Sequence, residues 1–381
     1  MHLAYVSTDP GIPVWGTKGA SVHVQEMLRA LARRGLRITV LSPRLEGTPP
    51  PDLVHVDAVA LPAAPKGTPE DRARRLLAAN ADVEDALAAL APDLVYERHA
   101  LYAHAAMEWA EARGVPSVLE INAPLLDEQA AHRTLVLREE AGASVARAMR
   151  AARLVSAVSE PVAAHARAMG ACAAMVVPNA VDPARFPAPA PLAARPFTVG
   201  FLGSLKPWHG LSLLVAAFAR LRAVRPEARL LIVGDGPERP AVEALLAELC
   251  CAEAATLTGM LAAREVPAAL AQMDVGCAPY GASDAFYFSP LKIYEYMAAG
   301  LPVVTTRVGH LPDIVAHDRT GLIVPPGDPD ALAGALRRLA DAPDRGRALG
   351  AAGRDHVLRH HTWDGVAARV LARVAPARSA A

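Results

Sequence analysis

Cysteine, net charge and long apolar runs are all scarce in this chain, and each scarcity excludes something. The four cysteines, Cys172, Cys250, Cys251 and Cys277, have no zinc-ligand spacing, and the adjacent pair Cys250-Cys251 is badly placed for a structural disulfide. A reducing compartment fits that usage. Lys+Arg and Asp+Glu balance at 39 each, and residues 1–185 carry 19 basic and 21 acidic side chains, so the balance holds in both halves. Without a basic field neither nucleic acid nor an anionic membrane is strongly attracted, and at most a peripheral membrane contact remains. No stretch reaches the roughly 18 apolar residues of a membrane span. Met1-His2-Leu3-Ala4-Tyr5 runs straight into a strand-like segment with no charged leader and apolar signal core, so a soluble, cytoplasmic protein is expected.

Apolar, alanine-rich sequence is plentiful. Hydrophobic residues make up 52% of the 381, and much of this is alanine, which favours helices. The length suits two domains of roughly 150 to 200 residues each. Residues 3–7 read as a short buried strand, 9–19 as a phosphate-type turn, 21–34 as a helix and 37–41 as the next strand. Helix and strand alternate from there to residue 158, the pattern of a parallel sheet covered on both faces. Pro183, Pro187, Pro189, Pro191 and Pro196 then block regular structure. A second alternating series begins at 197. The expected division is an α/β domain over 1–185, a Pro/Ala-rich linker over 186–196, a second doubly wound α/β domain over 197–360, and a final helix with a tail over 361–381, frayed from Arg378.

The segment from Ser289 to Gly300 carries the most chemical information. Ser289 can cap a helix, Pro290 suits its first position, and Gly300 can close it in a left-handed turn. Lys292 then falls in the first turn, where amides and the helix dipole already favour an anion, so a lysine there costs up to about 1 kcal/mol unless an anion is bound. A phosphate resolves that conflict, held by the first amides, including that of Leu291, and by the lysine. Glu295 lies one turn on, on the same face, where a carboxylate can accept from the vicinal hydroxyls of a sugar. A nucleotide sugar offers both groups. Standing alone, the segment also reads as an amphipathic helix with an exposed Lys–Glu pair.

Other loops fall where parallel sheets open their ligand crevices. Gly16-Thr17-Lys18-Gly19 follows the first strand, but its glycines have neither dinucleotide nor P-loop spacing, so a flexible turn and a ligand loop both remain open. Gly234-Asp235-Gly236 fails the same fingerprint, because Arg239 stands at the third glycine. Lys206-Pro207-Trp208-His209 puts a cation and an imidazole after another strand, or simply packs a loop. Glu97-Arg98 ends one strand and Glu120-Ile121-Asn122 the next, with Glu128 beyond. Glu97–Arg98 is either support for this polar group or a buried ion pair. Asp328-Pro329-Asp330 has D-x-D spacing, yet it precedes Ala331-Leu332-Ala333, so a helix cap is the better reading and no metal is expected.

Taken in order, Tyr5-Val6-Ser7 with its glycine loop, Val177-Pro178-Asn179-Ala180-Val181-Asp182, Phe201-Leu202-Gly203-Ser204, Val233-Gly234-Asp235-Gly236-Pro237-Glu238, the Lys292–Glu295 helix and Val324-Pro325-Pro326-Gly327-Asp328 resemble the retaining GT-B glycosyltransferases of family 4. The resemblance covers nearly the whole chain. It implies two Rossmann-like domains facing a cleft, with the final helix crossing back to the first. It implies transfer of a sugar from a nucleotide diphosphate sugar, with retention, to a small-molecule, glycan or lipid-linked acceptor, and no cofactor beyond that co-substrate. Closure about the linker would exclude water.

By the same resemblance Glu295 holds the donor ribose, Gly16 and Gly19 offer amides to the diphosphate, Gly234 lies near the nucleotide, and Ser289 and Leu291 complete the donor side. Lys206 contacts the donor phosphates, as does His209, which occupies the place of a usual lysine. Lys206 and Lys292 would neutralise the leaving diphosphate without a metal. Asn122 stands where relatives carry histidine and forms the expected catalytic group with Glu120. Glu97, Arg98 and Glu128 are expected acceptor or sugar contacts. Tyr287 replaces a glutamate that touches the transferred sugar, leaving Tyr287, Ser289 or backbone amides to hold its hydroxyls. Two rivals are a nucleotide-sugar epimerase of the same fold, using Glu120 and Glu128, and a non-catalytic nucleotide-binding subunit, prompted by Tyr287 and Asn122.

Overall fold

The structure, a computed structural model, describes residues 1–63, 67–132, 134–188, 195–282, 286, 287 and 289–374. The middle of the expected linker, 189–194, and the tail from Arg378 lie outside the described residues. Contacts divide the chain into two units, the first holding Met1–Pro178, Tyr287–Ser289 and the chain from Trp363 onward, the second Asn179–Phe286 and Pro290–Thr362. The expected boundary after residue 185 therefore falls inside the second unit. Phe186 is buried there, its carbonyl accepts from Arg354 Nη2 at 2.8 Å, and Val181 pairs with Thr362.

The first unit alternates strand and helix. It runs β1 (His2–Ser7), α1 (Gly19–Arg33), β2 (Arg37–Ser42), β3 (Asp57–Ala60), α2 (Pro69–Leu90), β4 (Leu94–Arg98), α3 (Ala105–Arg113), β5 (Ser117–Ile121), α4 (Leu125–His132), α5 (Arg138–Ala151), β6 (Leu154–Ala157), α6 (Glu160–Ala168) and β7 (Ala174–Val176). The sheet order is β3-β2-β1-β4-β5-β6-β7, parallel throughout. Every residue of β1, β4 and β5 is buried, because helices cover both faces. In α1 the stripe Val24, Met27, Leu28 and Leu31 recurs at helical spacing and is buried, each large side chain contributing roughly 1.5–3 kcal/mol. A Thr68–Asp71 capping box starts α2.

The second unit repeats the plan with β8 (Thr198–Leu202), α7 (Leu211–Val224), β9 (Arg229–Val233), α8 (Arg239–Glu248), β10 (Ala255–Leu257), α9 (Val266–Leu270), β11 (Val275–Ala278), α10 (Leu291–Ala298), β12 (Val303–Thr306), α11 (Leu311–Ile314), β13 (Gly321–Val324), α12 (Pro329–Asp341) and α13 (Pro343–His360). Its parallel sheet runs β10-β9-β8-β11-β12-β13. Asp328 Oδ1 accepts from the amides of Asp330 and Ala331 at 3.0 and 2.8 Å, so the D-x-D triplet is the cap of α12. The last helix, α14 (Trp363–Val374), belongs to the first unit and packs on α1, with Arg33 Nε 2.8 Å from Asp364 Oδ1 and the His23 and Trp363 rings edge-on at 4.7 Å. No helix among the described residues is long and apolar enough to cross a membrane.

Candidate functional site

Each sheet reverses its strand order once, and chemistry gathers at both reversals. In the second unit the reversal lies between β8 and β11. There α10 is fixed by Tyr296, whose hydroxyl accepts from the Leu202 amide at 2.6 Å and donates to Cys277 O at 3.2 Å. Its ring lies on Gly276, where any Cβ would stand 2.4 Å from the ring carbons. One turn earlier Lys292 faces the carboxyl end of the sheet. The helix ends in a Schellman turn, with Gly300 at φ +75° and Leu301 N bonding to Tyr296 O at 3.0 Å. Its start differs from expectation: the helix begins at Leu291, Pro290 takes the cap position, and no side chain caps it, so Ser289 is not the cap.

Lys292 is buried, and among the described residues its Nζ makes no hydrogen bond. It lies over the rings of Phe201 at 4.1 Å and Tyr280 at 5.4 Å. Burial pushes its pKa down to about 7, partly opposed by the Glu295 charge. Gly203, at φ +135°, leaves room for the ammonium, since a Cβ there would stand 3.0 Å from Nζ. His209 packs against Tyr280 with ring centroids 5.6 Å apart, and one ring nitrogen contacts Ser204 O. Burial and then the Lys292 charge push it down to about 3, so it is a neutral imidazole and no substitute for a lysine. Lys206 is half-buried in the same loop, its Nζ 5.9 Å from the exposed Trp208 ring. Gly234 is a structural turn whose amide already donates to Gly259 O at 3.0 Å, so it is not a free donor. Glu295 is mostly buried and pairs with Arg185, Nη1 to Oε1 3.3 Å, a partner not anticipated from the sequence. His310, after β12, is also new: both ring nitrogens are buried without a partner.

In the first unit the reversal lies between β1 and β4. Arg98 and Glu120 are register partners on β4 and β5, and Arg98 Nη1 donates to Glu120 Oε1 at 2.7 Å. Tyr96 OH donates to Oε2 at 2.6 Å, Asn122 Nδ2 to Oε1 at 2.6 Å, and His23 Nε2 lies 2.9 Å from Oε1. Burial alone would raise the Glu120 pKa, but His23, Arg98 and Tyr96 overcome it and hold the carboxyl well below the usual range. Glu120 is thus a buried, fully engaged hub rather than a sugar contact. By taking the NH2 of Asn122 it leaves that amide's Oδ1 as the acceptor end of the side chain.

The alternative Glu97–Arg98 ion pair does not form. Successive strand residues point to opposite faces, so Glu97 lies away from Arg98 and Glu120. Its Oε2 has no partner, and burial pushes its pKa up to about 8, leaving a neutral acid beside a small void of 20 Å³ next to Asn80 and Thr8. Gly16 is no free donor either, its amide bonding to Pro13 O at 3.0 Å, while Gln25 holds the loop by donating to Val14 O and Gly16 O. Gly19 opens α1 and is exposed. Tyr287 OH donates to Glu128 Oε2 at 2.9 Å. Glu128 lines a cavity of 340 Å³ with Asp9, Arg72, Leu101, Tyr102 and Thr134.

Comparison with known proteins agrees with this layout. Residues 17–185 match the model of Glycosyltransferase Family 4 and 196–342 that of Glycosyl transferases group 1. The D-inositol 3-phosphate glycosyltransferase of Stackebrandtia nassauensis is 31% identical over 387 residues, 93% of this chain and 85% of that one. The chain belongs to the group 1, family 4 glycosyltransferases. The GDP-mannose-dependent alpha-(1-6)-phosphatidylinositol monomannoside mannosyltransferase of Mycobacterium tuberculosis is 36% identical over 219 residues, 54% of this glycosyltransferase-family chain and 57% of its own length, so the match spans less than two thirds of that relative. Among solved structures, Anabaena HepE in complex with UDP and glucose has the same two-sheet GT-B fold, with a TM-score of 0.73, 18% identity, and coverage of 98% of this chain and 99% of that one.

Proposed function

We propose that this chain transfers a sugar from a nucleoside diphosphate sugar to an acceptor hydroxyl with retention of configuration. The observation that carries the reading is Lys292, a buried lysine whose Nζ has no hydrogen bond among the described residues, at the N-terminus of α10 and at the strand reversal of the second unit. A desolvated amine beside open helix amides is a deficit that a diphosphate fills, since the anion would hold the amine charged. The relatives support the donor class: the mannosyltransferase is GDP-mannose-dependent, and HepE holds UDP. Lys206 reaches the same loop system, and Glu295 takes the ribose hydroxyls.

As the bond between the anomeric carbon and the phosphate oxygen breaks, its electron pair goes to the diphosphate. Lys292, Lys206 and the amides of Leu291 and Lys292 stabilise that charge. The acceptor oxygen bonds to the anomeric carbon on the face the diphosphate leaves, and its proton passes to a leaving phosphate oxygen. The products are a nucleoside diphosphate and a glycoside. The cavity of the first unit, with Asp9, Arg72 and Glu128 on its wall, holds acceptor or sugar hydroxyls, and Asn122 follows directly after β5. Glu120, engaged by four neighbours, is not free for the acid–base work an epimerase needs, which leaves that rival only Glu128 of its two carboxylates. A screen of UDP- and GDP-sugars with the purified protein tests the reading. Release of nucleoside diphosphate supports it, interconverted nucleotide sugar points to an epimerase, and binding without turnover points to a partner subunit.

A further inference from the structure

We propose that Arg185 is a positioning residue of the donor site: it holds the Glu295 side chain in place as a carboxylate, ready to accept the ribose hydroxyls of a nucleoside diphosphate. The proposal rests on the reading of Glu295 as the ribose ligand and adds a residue far from it in sequence. Arg185 lies in a single 3-10 turn, Pro183–Arg185, on a segment that joins the second unit. Its Nη1 is 3.3 Å from Glu295 Oε1, and its Nη2 donates to Ala263 O, in the loop after β10, at 3.0 Å. Its Cζ lies 5.2 Å from the Phe186 ring, which is buried. One guanidinium therefore ties the entry segment, the loop after β10 and α10 together around a single carboxylate.

The charges around Glu295 explain why that tie matters. Burial raises the pKa of Glu295, while Arg185 first and Lys292 second oppose the rise. Lys292, on its own helix, is pushed down to about 7 and is only partly charged near neutrality. On α13, Arg354 is directed to Ala298 O and Phe186 O instead. Among the described residues Arg185 is thus the permanent cation at this carboxylate. A protonated Glu295 would offer one good acceptor oxygen where a vicinal diol needs two.

The test is calorimetric titration of UDP and GDP, and of their 2′,3′-dideoxy analogues, into wild type, Arg185→Gln, Arg185→Lys and Glu295→Gln at several pH values. Arg185→Gln is expected to bind whichever ribonucleotide wild type binds about tenfold or more weakly, while the dideoxy analogue binds both equally. The ratio of wild-type to variant affinity should widen as pH falls from about 8.5 to about 6, the ratio cancelling the titration of Lys292 and of the ligand. Arg185→Lys should recover part of the loss. Equal losses for ribose and dideoxy ligands, or a ratio that does not change with pH, would make Arg185 merely structural and overturn the proposal. If Arg185→Gln does not fold, Arg185→Lys decides alone: a loss confined to the ribose ligand supports the proposal, and an equal loss or none overturns it. Failure of wild type to bind either ribonucleotide would instead remove the donor-site reading itself, and an unchanged Glu295→Gln would remove the ribose role.

Discussion

Lys292 Nζ stands 4.1 Å from the centroid of the Phe201 ring, and among the described residues no hydrogen bond reaches it. Such a lysine is a liability in the ligand-free protein. Its pKa is lowered by folding, so the unfolded chain holds the proton more tightly. Folded stability is therefore full above the unfolded value of 10.5, declines as pH falls toward about 7, and is constant below. Lys292→Met, which keeps the volume, should be more stable than wild type near neutrality, by on the order of a few kcal/mol, with the difference vanishing toward high pH. Denaturant melts at several pH values measure this. A Lys292→Met protein that is less stable at pH 7 would show that the lysine stabilises the fold.

Much of this was legible in the sequence, and the remainder has identifiable causes. The two strand–helix series, the Lys292 helix with its Gly300 stop and the Asp328 cap follow local patterns of spacing and capping, while the return of the last helix is implied only by the family resemblance. The opposite faces of Glu97 and Arg98 also follow from strand alternation, and adjacency in sequence obscured them. Arg185 with Glu295, and Tyr296 with Leu202 and Cys277, are tertiary pairings with no local signal. His23 reaches Glu120 only because α1 lies across the sheet, and Ser289 loses the cap because the helix starts one residue later than Pro290 suggests.

Glu295→Gln should weaken nucleoside diphosphate binding, because a charge-assisted bond worth about 1.5–3 kcal/mol becomes a neutral one. The same substitution should leave the melting temperature within a few degrees of wild type. Calorimetry and thermal melts check both. Unchanged affinity would reduce Glu295 to a partner of Arg185.

Glu120→Gln should be strongly destabilising, by about 3–5 kcal/mol, because it leaves the buried Arg98 without its counter-charge. The folded pKa of Glu120 is depressed, so its contribution is present above the unfolded value of 4.5 and is lost as pH falls below it. Wild type should therefore lose stability on acidification with a slope that Glu120→Gln lacks. Urea melts between about pH 6 and pH 3 read the difference.

On the proposed reading turnover should survive a chelator, since Asp328 serves as a helix cap and Lys292, Lys206 and amides would take the diphosphate charge. Asp328→Ala should cost about 1 kcal/mol of stability and leave turnover unchanged. Activity abolished by chelation and restored by magnesium or manganese would contradict this assignment.

The most direct test of the diphosphate site is proton-linked calorimetry. UDP and GDP are titrated into wild type and Lys292→Met at about pH 8, in buffers that differ in ionisation enthalpy, where free Lys292 is mostly neutral and a bound diphosphate must recharge it. Binding should take up close to one proton per site in wild type, and Lys292→Met should bind about a hundredfold more weakly with no uptake at that group. Binding with no proton uptake and no loss in Lys292→Met would contradict the site at that lysine.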